Sequence, residues 1–316
     1  MAELSEANIL ILNSFNLKTF YSNGKLLITG EYVVLDGAKA LALPTKFGQD
    51  LVVENGFGKE IRWKSFDSDG SIWFEEVISF EAIANKSEDK NPIKNTIIEI
   101  LHEAYLLNPK FLKSEGYSVT TNLTFPRSWG LGTSSTLINN IAQWLKIDAF
   151  ALLKNSFGGS GYDIACAQND TPILYHLENE NPIVESVRFA PEFASNLYFI
   201  YLNKKQSSKS AIQSYREKTN NISQTIIAID EMTSGILKAE TLSEFKKLIQ
   251  RHEAILSAIL ELPTAQSSLF LDFNGTIKSL GGWGGDFILA ASEIDPTIYF
   301  KQKGYETVIP YSKMIL

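Results

Sequence analysis

A strand, a glycine-rich loop and a helix follow one another across residues 117–146, and no other stretch of the chain constrains its fold so tightly. Val119, Leu123 and Phe125 alternate with threonines, the two-residue period of a half-buried strand. Residues 130–135, Gly-Leu-Gly-Thr-Ser-Ser, read as a loop, and an apolar helical pattern resumes over 136–146. Glycines let a backbone bend close to a ligand, and the first N–H groups of a helix have no intrahelical partner. With the positive helix end, such donors cradle phosphate. The same serines and threonines also make good plain helix caps, and the spacing leaves both readings open. The Gly-Lys-Ser/Thr ending of the common P-loop is absent.

Upstream, residues 16–77 read as β-rich. Leu26-Leu27-Ile28 and Tyr32-Val33-Val34-Leu35 are strand signals separated by Gly30, and Asp36-Gly37 is a turn signal after them. Further strands are expected at 49–53, 60–64, 173–176 and 197–202. Ile93, Ile97, Ile100, Leu101 and Tyr105 place a helix over 91–107. Shorter helices are expected at 149–156, closed by Gly158-Gly159, and at 163–168. The polar stretch 178–191, with Pro182 and Pro191, reads as a boundary between domains 16–182 and 183–316. Beyond it lies a helical pair, 222–239 and 242–260, whose second member opens with a Thr241–Glu244 capping box. Residues 287–291 start a strand or helix, and Tyr299 and residues 305–309 suit closing strands.

A chain of 316 residues can bury a sizeable core and favours two domains. The net charge of −7 and the absence of a Lys/Arg cluster argue against a nucleic-acid partner. A single cysteine, Cys166, excludes an intrachain disulfide and reads as a small buried hydrophobe. His102, His176 and His252 lack metal-ligand spacing and read as surface or packing residues. The apolar residues 9–12 follow Glu3 and Glu6, not the basic start of a signal peptide, and no segment is long enough to span a membrane. A cytoplasmic protein is expected, with no membrane partner.

Three further features carry chemistry. Asp163 lies between the Gly-rich turn Gly158-Gly159-Ser160-Gly161 and the small-residue run Ile164-Ala165-Cys166-Ala167, which presents one carboxylate on a fixed backbone. Lys25 opens an apolar strand, where it is either a solvated edge lysine or a counter-charge to a phosphoryl group. Gly281-Gly282-Trp283-Gly284-Gly285-Asp286 is glycine-dense just before an apolar segment, which points to close backbone approach near a ligand. Asp286 reads equally as a cap of the next element.

Taken in order, 24–35 (Gly-Lys-Leu-Leu-Ile-Thr-Gly-Glu-Tyr-Val-Val-Leu), 129–136 and 281–286 resemble the three motifs of the GHMP kinases, the galactokinase, homoserine kinase, mevalonate kinase and phosphomevalonate kinase superfamily. Gly30-Glu31-Tyr32, the aromatic Trp129 before Gly130, and Gly159-Ser160-Gly161-Tyr162-Asp163 look like its phosphomevalonate kinase branch. The resemblance implies a two-domain α+β fold, with a ribosomal S5 domain 2-like N-terminal half, a ferredoxin-like C-terminal half and the site between them. It implies ATP and Mg²⁺ as cofactors, with Asp163 as base and Lys25 beside the transferred phosphoryl. Gly130, Leu131, Gly132, Thr133, Ser134 and Ser135 would hold the ATP phosphates, and Ser134 the metal. Glu31, Tyr32, Ser160, Lys209, Gly282 and Gly284 would meet a small-molecule acceptor, phosphomevalonate ahead of mevalonate. A phosphorylated acceptor needs more cations, for which Lys204, Lys205 and Lys209, among Ser207 and Ser208, are candidates or merely a solvated loop. A diphosphomevalonate decarboxylase-like lyase and a non-catalytic binding protein are the alternatives, and a monomer or homodimer is expected. Residues 149–160 lack the second metal-binding carboxylate of many mevalonate kinases, and Trp283 stands where the motif has a small residue, bulk expected to narrow the nucleotide site or stack on a ligand.

Overall fold

The computed structural model describes residues 17–204, 212–213, 215–217, 222–283 and 285–316. The expectations for residues 1–16, Lys205, Ser207, Ser208, Lys209 and Gly284 lie outside the described residues. The first sheet has seven strands: β1 (Lys18–Leu27), β2 (Ala40–Asn55), β3 (Glu60–Phe66), β4 (Ile72–Ser79), β5 (Tyr117–Leu123), β6 (Ile173–Glu178) and β7 (Asn181–Ser186). Their order is β4-β3-β5-β2-β6-β7, with β1 also on β2. β1 pairs along one edge of β2 from Ala42 to Val53, so β6 and β5 take the other edge in succession, at Ala40–Ala42 and from Gln49 to Asn55. All pairs are antiparallel except β3–β5, whose connection runs through β4 and the helices α1 (Phe80–Ala84) and α2 (Pro92–Leu107).

The helices α3 (Thr133–Leu145), α4 (Ala149–Ser156) and α5 (Tyr162–Ala167) follow. Ile97, Leu101, Ile138, Ile141 and Leu152 from α2, α3 and α4 pack on Leu51, Val53, Ile61, Trp63 and Val119 of the sheet.

The second sheet joins β8 (Leu197–Tyr201), β9 (Thr276–Ser279), β10 (Phe287–Ala291) and β11 (Val308–Pro310) in the antiparallel order β11-β8-β10-β9. The two-residue period of β8 splits two cores. Leu197, Phe199 and Tyr201 meet Phe245 and Ile249 of the helix Leu242–Leu260, while Tyr198 and Ile200 meet Phe270 and Phe300. The first of these cores also takes Leu26, Ile28, Leu41 and Leu43, so one apolar cluster spans both sheets. The architecture is α+β.

Three expectations change. Tyr32-Val33-Val34-Leu35 is not a strand: Gly30 (φ +81°) and Tyr32 (φ +65°) turn the chain, and Val33–Asp36 forms a 3-10 turn. The polar boundary stretch contains β7, so the expected edge at 182/183 falls inside a strand that pairs fully with β6. Tyr299 lies in the helix Thr297–Gln302, packed edge-on to Phe300, rather than in a strand. The capping box stands as expected: Glu244 N–H donates to Thr241 Oγ1 at 3.2 Å, and Thr241 N–H to Glu244 Oε2 at 3.3 Å.

Candidate active site

A cleft of about 480 Å³ opens where the start of α3, the turn before α5 and the loop 281–286 converge. Gly130 (φ +69°) and Gly132 (φ +100°) carry the chain out of β5 into α3 through backbone angles that side chains disfavour. The helix begins at Thr133, three residues earlier than the sequence pattern indicated. Thr133, Ser134 and Ser135 are therefore its first turn, and their N–H groups are the donors left without helical acceptors. Ser134 is exposed in the cleft. Ser135 Oγ donates to the Gly132 carbonyl at 2.9 Å, and Ser135 is one of the groups that pull the Asp163 carboxyl down. Leu131 differs from its neighbours: its side chain is buried in the core shared by the two sheets, and its carbonyl accepts the Lys25 N–H at 3.0 Å.

Lys25 follows a bulge in β1, between Asn23 and Lys25, which re-aims its side chain. Its Nζ donates to the Gly130 carbonyl at 3.1 Å and stands 5.7 Å from the Tyr162 ring centre. Burial pushes the ammonium down, but Tyr162, Asp163 and Asp286 outweigh it, so Lys25 stays charged with its pKa raised. Asp163 sits in the first turn of α5, where its Oδ1 accepts the Ile164 N–H at 3.2 Å. Burial raises its carboxyl, while Lys25, backbone N–H groups and Ser135 pull it back; the net shift is upward. A carboxylate so placed takes a proton more readily than an exposed one.

The turn that delivers Asp163 is fixed by Gly161 (φ +91°), where a methyl group would meet Phe150 and the Tyr175 hydroxyl at 3.1 Å. Tyr175 Oη donates to the Ser160 carbonyl and pins the same turn. Burial pushes the Tyr162 phenol up to about 12, so it remains protonated beside Lys25.

Glu31, Tyr32, Ser160 and Gly282 line the same cleft, with Leu27, Val34, Leu35, Leu153 and Phe157 giving it an apolar wall. The Trp283 N–H donates to Tyr32 Oη at 2.8 Å, tying the loop 281–286 to the first sheet. Asp286 (φ +51°) also faces the cleft, its carboxylate close against Gly130. The bulk of Trp283 turns away from the cleft. Its ring is buried with Tyr32, Val33, Ile229 and Leu256, and its Nε1 donates to the Pro263 carbonyl at 2.8 Å. Trp129 packs edge-on against Phe47 and Phe287 in the core between the sheets. Lys204 meets the loop 281–286 through its backbone, its carbonyl accepting the Asp286 N–H at 2.6 Å. Cys166 is buried and unpaired by disulfide, as expected. His252 is more than a packing residue: it joins Glu31, Glu253 and Lys278 in a buried ionisable cluster under the cleft. Only the unusual placing of Lys278 just ahead of an apolar, glycine-rich run marked that cluster in the sequence.

No protein-family model matches the sequence, and no curated protein matches it. Solved structures do match. A Streptococcus pneumoniae phosphomevalonate kinase in complex with phosphomevalonate and AMPPNP superposes with TM-score 0.67 at 16% identity, covering 90% of this chain and 95% of its own. A Methanococcus jannaschii mevalonate kinase gives 0.65 at 16% identity over 94% and 97%. A Lactococcus lactis galactokinase complexed with galactose gives 0.64 at 13% over 95% and 92%. The chain has the GHMP kinase fold. At these identities the likeness is one of fold. Among the described residues no helix is long and apolar enough to cross a membrane.

Proposed function

We propose that this protein is an ATP-dependent phosphotransferase acting on a small acceptor of the mevalonate type. The observation that carries the reading is that Lys25, Asp163 and the first turn of α3 share one cleft. The unpartnered N–H groups of 133–135 receive the nucleotide phosphates. Lys25 sits between Gly130 and Asp163, where its charge offsets that building on the transferred phosphoryl. An acceptor hydroxyl attacks the γ-phosphorus in line, the bond to the β–γ bridging oxygen breaks, and ADP departs. Asp163 takes the hydroxyl proton as the new P–O bond forms. A phosphorylated acceptor would attack through a phosphate oxygen that bears no proton at neutral pH, and Asp163 would then only orient it.

Mg²⁺ would neutralise charge on the phosphates and align them. Ser134 Oγ and the Asp163 carboxylate are hard oxygen donors lining the cleft and fit such an ion. Among the described residues no cluster of three or more His, Cys, Asp or Glu could form a metal cage, which suits an ion held largely by nucleotide phosphates.

The fold neighbours and the Gly30-Glu31-Tyr32 and Gly161-Tyr162-Asp163 contexts support phosphomevalonate or mevalonate as acceptor. Coupled ADP release across mevalonate, phosphomevalonate, galactose and homoserine tests the reading. Acceptor-dependent turnover that falls at least about 10²-fold in Asp163→Asn is expected. ADP release at one rate with and without every acceptor sinks the assignment. Carbon dioxide release from diphosphomevalonate would replace it with the lyase.

A further inference from the structure

Directly under the cleft, four ionisable side chains from separate elements meet out of reach of water. Glu31 follows β1, His252 and Glu253 lie on the helix Leu242–Leu260, and Lys278 lies on β9; their exposures are 2%, 0%, 3% and 0%. Lys278 Nζ donates to Glu31 Oε1 at 2.5 Å and to the Ser279 carbonyl at 2.9 Å, with Glu253 Oε1 at 3.5 Å. Glu253 Oε2 accepts from Ser279 Oγ at 3.1 Å. His252 Nε2 accepts the Gly30 N–H at 3.0 Å, so this nitrogen carries no proton, and burial with Lys278 nearby keeps the ring neutral.

Two atoms of this cluster lack a hydrogen-bond partner, Glu31 Oε2 and His252 Nδ1, and of the two only Glu31 Oε2 belongs to a residue that lines the cleft. That oxygen is buried and stands 3.7 Å from a histidine nitrogen that has no proton to give. Stability does not account for the arrangement, because buried ion pairs rarely improve on apolar residues of the same volume. A carboxyl with one oxygen anchored on an ammonium and the other unfilled suits, in its ionised form, a donor arriving from the cleft.

We propose that Lys278 is a positioning residue for the acceptor: by anchoring Oε1 of Glu31 it favours the ionised carboxylate, with Oε2 turned to an O–H or N–H of the bound acceptor. The proposal rests on the kinase reading only for the nature of the occupant. Lys278 belongs to the second sheet and Glu31 to a loop of the first, so the contact also makes acceptor binding depend on how the sheets are docked.

The sign of each perturbation follows from the cluster. Burial raises the Glu31 carboxyl, Lys278 pulls it down and Glu253 pushes it up, to a net value of about 7; the Tyr32 phenol and the neutral His252 ring are the other titratable neighbours. Lys278→Met therefore raises the pH at which Glu31 ionises, and Glu253→Gln lowers it. A loss of packing alone would move neither.

The test is a carbon-13 NMR titration of protein labelled at the glutamate side-chain carboxyl, with the Glu31 resonance identified by its loss in Glu31→Gln. We expect its midpoint to rise by more than one pH unit in Lys278→Met and to fall in Glu253→Gln. In the ADP-release assay at pH 7, with the best acceptor of the panel, Lys278→Met raises the acceptor KM at least about fivefold while kcat changes less, and the gap narrows at higher pH. Lys278→Met added to Glu31→Gln costs nothing further. An unmoved midpoint, or an unchanged acceptor KM in folded Lys278→Met, overturns the proposal. Should Lys278→Met not fold, Glu253→Gln decides alone: midpoint and KM both fall, or the proposal is wrong. If no acceptor is turned over, the kinase reading fails, while the titration still decides whether Lys278 governs Glu31.

Discussion

Replacing Gly130 with alanine adds one methyl group where the structure leaves no room. At φ +69° the residue lies in the left-handed region, which costs a side chain roughly 1–2 kcal/mol. The new carbon would also fall 2.5 Å from Asp286 Cγ and 2.6 Å from Oδ1, well inside contact distance. Forcing such a group apart adds about 1–3 kcal/mol. The variant should lose about 2–5 kcal/mol, enough to measure in a protein stable by about 5–15 kcal/mol. Gly158→Ala is the matched control: its φ of +71° carries the same backbone cost, and nothing lies within 4 Å of its added methyl. It should lose only about 1–2 kcal/mol. Urea denaturation reports both as midpoint shifts at unchanged m-value. Removing the obstruction in Gly130→Ala/Asp286→Ala should return at least about 1 kcal/mol relative to the sum of the single variants. If Gly130→Ala is no worse than Gly158→Ala, or the double variant is simply additive, Asp286 does not occupy the space against Gly130 and the account of the cleft mouth is wrong.

Two further outcomes follow from named contacts. Lys25→Met should lower kcat by about 10²–10³. Because Lys25 does most to hold the Asp163 carboxyl down, its loss raises that pKa further; with a hydroxyl acceptor Asp163 must be ionised to accept the proton, so the acid limb of the pH–rate profile moves to higher pH. An unmoved limb would separate Lys25 from Asp163. Thr241→Ala breaks the capping box and should cost about 1 kcal/mol in urea denaturation with turnover unchanged; a change in acceptor KM would show that this helix end communicates with the cleft.

The elements that were legible in the sequence are those whose own periodicity or caps report them. Helix α2 carries its apolar stripe and the helix Leu242–Leu260 its capping box, and both lie where those signals place them. Edge strand β7 was not legible. Its sequence, Asn-Pro-Ile-Val-Glu-Ser, is largely exposed, and its one buried relationship is pairing with β6, a partner no local pattern reveals. The turn Val33–Asp36 shows the reverse: an apolar run with β-branched residues reads as strand until Gly30 and Tyr32 set the backbone against it. Within the site, Asp163 and the loop 130–135 stood out because glycines punctuate both. Trp283 misled, since a bulky residue in a glycine loop gives no sign of which way its ring turns; a core pocket made by Tyr32, Ile229 and Leu256 decides that.

The sequence alone determined the local units: a glycine-led helix start, a carboxylate on a short helix, and a lysine at a strand. Backbone angles and side-chain chemistry act over a few residues, so these features need no partner to be read. Only the tertiary structure decided that Lys25, Asp163 and Asp286 act on one another, because a bulge in β1 and the docking of two sheets bring charges from three distant segments together. The same docking placed Lys278 beside Glu31, 247 residues away along the chain. Charges this far apart in sequence interact strongly only once water is excluded between them, and burial is a property of the assembled fold.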